Sequence, residues 1–457
     1  MGYANAVCPV WHQTKADSFG NMLIDEFCKG QLTAAKVQSL ASAAVKWHTA
    51  LSEQYFRDLF LPVNAKAYWD NLERNAPWFR EHPMFGWKGD RSKLIPLSLY
   101  GDEVAAYKAT EAGSVSVIAF TTDLTPKQDP LGRYFLVSVY SDHTATSDTY
   151  TDVLNGIIPR FQKLVSPEFQ GAAHTRARYD HKHFVANTPL EERNVIFQIP
   201  GMLYERFLHD PCHGQLLGTS KVLNGAALVY LAENGWFGEW PAVGKYDARL
   251  APLLNLAYGR FEDWKRKCRL QCTQARFTPA RLNRTKKLQF PSLTGKAVAQ
   301  KVISFWLAEE TASFAKRAGK SEQDEQLAAC MLTYVRVLRC LDEFGMLLTE
   351  QQAAEFHKTG MSHLRVYAML HSATTFMFQL LPKHHYFQHM IEDASQHRVN
   401  ANIYTLLAAE SFVGQIGRIS RRCHKATVSC RTAQRYLVQL KARLEQPAMH
   451  ATKRKRA

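Results

Sequence analysis

Apolar and polar positions change their spacing twice along this chain. In the first stretch, LTAAKVQSLASAAVKWHTALSEQYFRDLF, apolar residues recur at three- and four-residue intervals, the period of an amphipathic helix. The spacing then shortens. KLIPLSLYGDE, SVSVIAFTTDL and RYFLVSVYSD are brief runs rich in β-branched and aromatic residues, separated by turn signals at Gly113-Ser114 and Gly132. Their short connectors predict a three-stranded meander, and each run ends near an aspartate: Asp102, Asp123 and Asp142. TYTDVLNGIIPRFQKLV returns to helical spacing, and VIFQIPGMLYERFLHD adds an apolar stretch broken by Pro200-Gly201. From Pro211 onward the pattern is helical almost throughout, as in GTSKVLNGAALVYLAENG, KAVAQKVISFWLAEETASFAKR and DEQLAACMLTYVRVLRCLDEFGMLL. The same holds for HLRVYAMLHSATTFMFQLL, ANIYTLLAAESFVGQIGRISRRCH and TVSCRTAQRYLVQLKARLEQ. The expected order is helices, a small sheet, then a long helical half. No fixed-period repeat is visible. Trp69, Trp78, Phe85 and Trp87 form an aromatic cluster expected to pack as core.

Length and charge extend this picture. At 457 residues the chain exceeds one ordinary domain. Its net charge of +16 suits a polyanionic partner, nucleic acid before membrane. No apolar run approaches the roughly 18 residues that span a bilayer. The start, MGYANAVCPVWHQTKADSFG, lacks the apolar core of a secretory signal, and Ala6 breaks the myristoylation pattern. Nine scattered cysteines read as free thiols of an intracellular protein. The tail carries Lys453, Arg454, Lys455 and Arg456, a short basic cluster compatible with nuclear import and equally with a charged terminus. HExxH, GxxxxGK[ST], GxGxxG and GxSxG are absent, which excludes the commonest zinc proteases, nucleotide-driven motors, dinucleotide enzymes and serine hydrolases.

The candidate chemistry is acidic and basic. Asp102 follows an apolar strand. Asp210 opens the crowded segment LHDPCHGQLLGTSKVLNGAAL. Glu410 is the lone charge of LLAAESFVGQIG. A carboxylate in an apolar setting is costly unless paired or bound to metal. Three of them are able to hold hard divalent ions, which prefer oxygen ligands and clamp the oxygens of a phosphoryl displacement. Asp210 has a second reading as a helix N-cap followed by proline at the first helical position. WKRKCRLQCTQARFTPARLNRTKKLQF sets Lys265, Arg266, Lys267, Arg269, Arg276, Arg281, Arg284, Lys286 and Lys287 among Trp264, Phe277 and Phe290. Basic residues interleaved with aromatics suit a nucleic-acid backbone with unstacked bases. A second basic set follows Glu410: Arg418, Arg421, Arg422, His424, Lys425, Arg431 and Arg435. The alternative for both sets is a solvated face. The pairs Cys268/Cys272 and His385/His389, with Glu392 nearby, have no second half at zinc spacing and read as packing or capping.

Three blocks carry a resemblance. LIPLSLYGDE, HDPCHGQLLGTSKVLNG and PKHHYFQHMIED…AAESFVGQIGRISRRCH resemble the RNase H-like DDE transposases, nearest the CACTA type, and the transposon-derived families of dinoflagellates. The resemblance covers roughly residues 92–440. It implies an α+β fold: an RNase H-like core over 93–215 and 385–440, split by a helical insertion at 216–384. A helical module over 1–92 precedes the core, and a basic tail over 441–457 ends the chain. It implies metal-dependent DNA cleavage or strand transfer, with Asp102, Asp210 and Glu410 as catalytic ligands of Mg²⁺ or Mn²⁺. His213 of Asp210-Pro-Cys-His would support the helix start or a phosphate. DNA contacts would come from Lys265, Arg266, Lys267, Arg276, Arg281, Arg284, Lys286, Lys287, Arg418, Arg421 and Arg422. The implied partners are DNA and, as an option, further copies of the chain, with no membrane, in the nucleus or else the cytoplasm. One departure stands out. The family's second Asp, usually in a Gly-Asp pair, has no counterpart over 155–200, where Asp180 is the only Asp. That gap puts activity in question. It leaves a non-catalytic DNA-binding relative and a helical interaction scaffold as the rival expectations.

Overall fold

The computed structural model describes residues 65–82, 84–106, 113–122, 124, 130–143, 145–164 and 208–444. The first helical stretch, Asp123, Asp180, VIFQIPGMLYERF and the basic tail beyond Leu444 lie outside the described residues. The chain divides into two compact units: Met1–Leu208 with Ala408–Ala457, and His209–Leu407. Residues 209–215 and 385–407, expected in the core, belong with the helical unit. Their elements pack there, the helix at 382–397 lying against the helical segment that starts at Pro211.

The first unit is α+β. Helix α1 (Ala65–Asn75) buries Tyr68, Trp69 and Leu72. Trp69 stacks with Phe79 and His82, and its indole N–H donates to the Leu94 carbonyl at 3.1 Å. Trp78 is buried too, so this part of the aromatic cluster is core, whereas Phe85 is exposed. Strands β1 (Ser98–Ala105), β2 (Ser114–Thr121) and β3 (Phe135–Ser141) form an antiparallel meander in the order β1-β2-β3. The β2–β3 register slips between Ile118 and Ala119. Asp142 caps a corner by accepting from the Ser114 N–H at 2.7 Å. Helix α2 (Thr149–Leu164) follows the sheet. An RNase H-like core goes beyond what this three-stranded sheet by itself establishes.

The second unit is helical among its described residues. A π-helix, Pro211–Thr219, runs directly into α3 (Ser220–Glu233). Next come α4 (Tyr246–Lys267), α5 (Ala297–Phe314), α6 (Glu322–Glu343), α7 (Glu350–Ala373) and α8 (Pro382–His397). Helix α3 is buried nearly all round, which explains why its sequence carries almost no charge. Asn224 inside it donates to Gln300 on α5 at 2.9 Å, satisfying a polar group that burial would otherwise penalise. Capping boxes at Ser321 and Thr349 start α6 and α7.

Two helices complete the first unit: α9 (Leu407–Ser420, from Ala408 onward within it) and α10 (Val428–Leu444). Both pack near the sheet through a row of rings. Tyr100 on β1 meets Tyr134, Tyr134 stacks on Phe412 of α9, and Phe412 meets Tyr436 of α10. The Tyr436 hydroxyl donates to the Tyr134 carbonyl at 2.9 Å. No helix among the described residues is long and apolar enough to cross a membrane.

Candidate functional site

In the first unit, Asp102 lies inside β1, not at its end, because the strand continues to Ala105. Side chains alternate across a strand, so Tyr100, Asp102 and Val104 share the inward face. Helix α9 lies along that face. Gly417 is so close to Val104 that an added Cβ would stand 2.7 Å from Val104 Cγ2. One turn later, Arg421 Nε donates to the Ala105 carbonyl at 3.2 Å. Glu410, seven residues before Gly417, shares its side of the helix about 10 Å back along the axis. The Tyr100 hydroxyl donates to Asp102 Oδ2 at 2.8 Å, and the second Asp102 oxygen accepts from the Glu103 N–H at 2.8 Å. Burial, then Asp102, then the charge of Glu410 hold the Tyr100 phenol far above its ordinary pKa, so it stays a donor. Asp102 and Glu410, far apart in sequence, thus act on one hydroxyl. Tyr100 sits two residues before Asp102 in the strand, a spacing that puts both on one face.

Helix α9 carries opposite chemistry on another side. A cavity of about 610 Å³ is lined by Gln415, Arg418, Ile419, Arg422, Arg435 and Gln439, with no carboxylate among them. The Arg435 guanidinium donates to the Arg422 carbonyl at 2.8 Å, tying α10 to the end of α9. Arg418 and Arg422 are therefore brought together as expected. Arg421 is turned to the strand end instead, and Arg435 takes the third place in the cavity.

In the second unit, Asp210 is the N-cap of the π-helix. Its Oδ1 accepts from the Cys212 N–H and the Leu406 N–H, both at 2.8 Å. Its Oδ2 accepts from the His213 N–H at 2.8 Å and lies 2.6 Å from His213 Nδ1. A carboxylate offers about four acceptor positions, and all four are engaged. These bonds give Asp210 the helix-cap role that its place before Pro211 suggested, serving a helix start and a chain crossing. His213, as expected, supports that start. The ligand atoms of Asp210, Cys212 and His213 do lie within 4.8 Å of one another and could hold a metal ion. A thiol and an imidazole favour a zinc-type ion over the expected Mg²⁺, and Cys212 is fully buried.

The basic segment after α4 is only partly a surface for DNA. Lys267, Arg276, Arg281, Lys286 and Lys287 are exposed. Lys265 pairs with Glu262 at 2.6 Å, and Arg266 pairs with Asp263. Arg284 is a correction: it is 1 % exposed and contacts the Tyr246 hydroxyl at 2.9 Å, the Phe376 carbonyl at 2.8 Å, the Gln289 carbonyl and Glu233. It staples loops and cannot reach a phosphate. The aromatics are corrected likewise. Phe277 is buried against Phe261 and Trp306, Phe290 meets Phe376, and the Trp264 indole donates to Glu309 at 2.9 Å. Phe277 is thereby withdrawn from any base, while Trp264 and Phe290 are half-buried.

No protein-family model, curated protein or solved structure matches this chain.

Proposed function

We propose that this chain binds DNA, as a transposase-like protein, and that the cavity of Arg418, Arg422 and Arg435 holds backbone phosphates. That cavity is the observation that carries the reading. Three arginines line one recess with no carboxylate among its lining residues, and two glutamines add neutral hydrogen-bonding groups. The net charge of +16 adds a long-range attraction for a polyanion. Binding of a duplex should weaken with salt in proportion to the phosphates neutralised, with a slope of about 0.9 per contact. Fluorescence anisotropy on a duplex at stepped salt tests this. Replacing the three arginines by alanine is expected to lower the slope by about 3. An unchanged slope and affinity would remove the proposal.

A second reading, metal-dependent DNA cleavage, is favoured by the shared action of Asp102 and Glu410 on Tyr100. An aspartate on the first strand of an antiparallel meander and a glutamate on a later helix packed along that strand also fit an RNase H-like core. Their oxygens suit Mg²⁺ or Mn²⁺, which when bound would neutralise charge building on a phosphate. In this reading the two carboxylates would hold the ion, with Asp210 acting as the helix cap of the other unit. Nicking of supercoiled DNA with Mg²⁺ decides the matter: activity lost in Asp102→Ala and in Glu410→Gln supports cleavage. Salt-dependent binding without nicking leaves the DNA-binding reading alone. Absence of both points to the helical scaffold.

A further inference from the structure

Three histidines of the helical unit gather around α8 and the residue before Asp210. His385 and His389 stand one turn apart on α8, and their Nε2 atoms face each other at 3.0 Å. Two imidazole nitrogens on one tetrahedral ion, at bond lengths of about 2.0–2.1 Å, lie about 3.3 Å apart. A small rotation of either ring therefore converts this pair into two ligands. The far side of His389 is prepared as well. Glu392 Oε2 lies 3.5 Å from His389 Nδ1, and Gln388 Nε2 holds the other Glu392 oxygen at 2.9 Å. A carboxylate at Nδ1 keeps the proton there and leaves the Nε2 lone pair outward, the arrangement that accompanies metal-binding histidines. His209, just before the π-helix, stacks on Tyr386 and on His389, with ring centres 5.1 and 5.6 Å apart.

We propose that His385 and His389 bind a divalent ion of the zinc class through their Nε2 atoms, with His209 turning in as a third ligand. Imidazole selects Zn²⁺, Cu²⁺, Ni²⁺ or Co²⁺ over Mg²⁺, so the site is separate in chemistry from the carboxylates of β1 and α9. It is also separate from Asp210, Cys212 and His213, which would bring a thiolate. The proposal stands or falls independently of DNA binding.

The test is a titration of the chelator-stripped full chain with Zn²⁺ against a chromophoric competitor, and with Co²⁺ followed by visible absorption. The expected result is one equivalent that is lost or weakened by roughly tenfold or more in His385→Gln and His389→Gln. Both positions face solvent at least in part, and far-UV circular dichroism checks that the fold survives. Glu392→Gln weakens the same equivalent by roughly tenfold, and His209→Ala weakens it further. Cys212→Ser leaves it intact. Two results overturn the proposal: unchanged stoichiometry and affinity in the His385→Gln/His389→Gln double variant, or a thiolate-to-cobalt band that disappears in Cys212→Ser while the histidine variants keep their equivalent.

Discussion

Replacing Asp210 by alanine separates a helix cap from a metal ligand. The change removes the acceptor for three backbone N–H groups, those of Cys212, His213 and Leu406, and for the His213 ring. Loss of an N-cap carboxylate costs about 1 kcal/mol, within about 0.5–2. Loss of the Leu406 bond, one made to a charged group, adds about 1.5–3 kcal/mol. Water takes over part of this, because the His213 side chain is 43 % exposed although Asp210 is only 8 % exposed. The expected total is about 2–4 kcal/mol. Two units need not unfold together, so the readout should be local. Amide hydrogen exchange at His213 and Leu406 should accelerate between about thirtyfold and several hundredfold, since each 1.4 kcal/mol is about a factor of ten. Asp210→Asn and Asp210→Ser keep a capping acceptor and should recover about half of the loss. Any Mg²⁺-dependent activity should survive Asp210→Asn. The reasoning is refuted if Asp210→Ala stays within about 0.5 kcal/mol of the parent with Leu406 exchange unchanged, for the carboxylate would then be free to bind something else.

Other expectations follow from the same geometry. Arg284→Met should destabilise the helical unit by about 3–5 kcal/mol, because it leaves several buried acceptors unpaired, while DNA affinity stays the same; denaturant unfolding and anisotropy read the two effects. Gly360→Ala would set a Cβ 2.5 Å from Ile391 Cδ1 and should cost about 1–3 kcal/mol by overpacking α7 against α8. His363 and His384 are buried, and burial lowers their pKa to about 3 and about 4 from an ordinary 6.5. Both are neutral in the folded unit when the unfolded chain has already taken up protons. Their contribution is fully present above pH of about 6.5 and is lost as pH falls, at about 1.4 kcal/mol per pH unit for each group, down to about pH 4 for His384 and about pH 3 for His363. Stability of His384→Gln measured from pH 7 to pH 4.5 should show about half the parent's slope, and an identical slope would count against this account.

Much of the secondary structure was legible along the chain because it depends on short-range spacing. The strand runs found β1, β2 and β3 because a period of two and turn residues at Gly113-Ser114 and Gly132 act within a few residues. Asp210 before Pro211 marked a helix start for the same local reason, and the net charge of +16 is a property of the sequence alone. Tertiary structure decided what each side chain faces. Phe277 and Arg284 stand in the same basic run as Arg276 and Arg281, yet two point inward and two outward, because core space beside Trp306 and Tyr246 exists only after α4 and α5 pack. Helix α9 lies close along β1 because Gly417 leaves room for Val104, a contact between distant segments that no local pattern encodes. The sequence by itself determined which segments are helix or strand and how much charge they carry. Packing alone determined which charges face outward and which, like that of Arg284, are buried in holding the chain together.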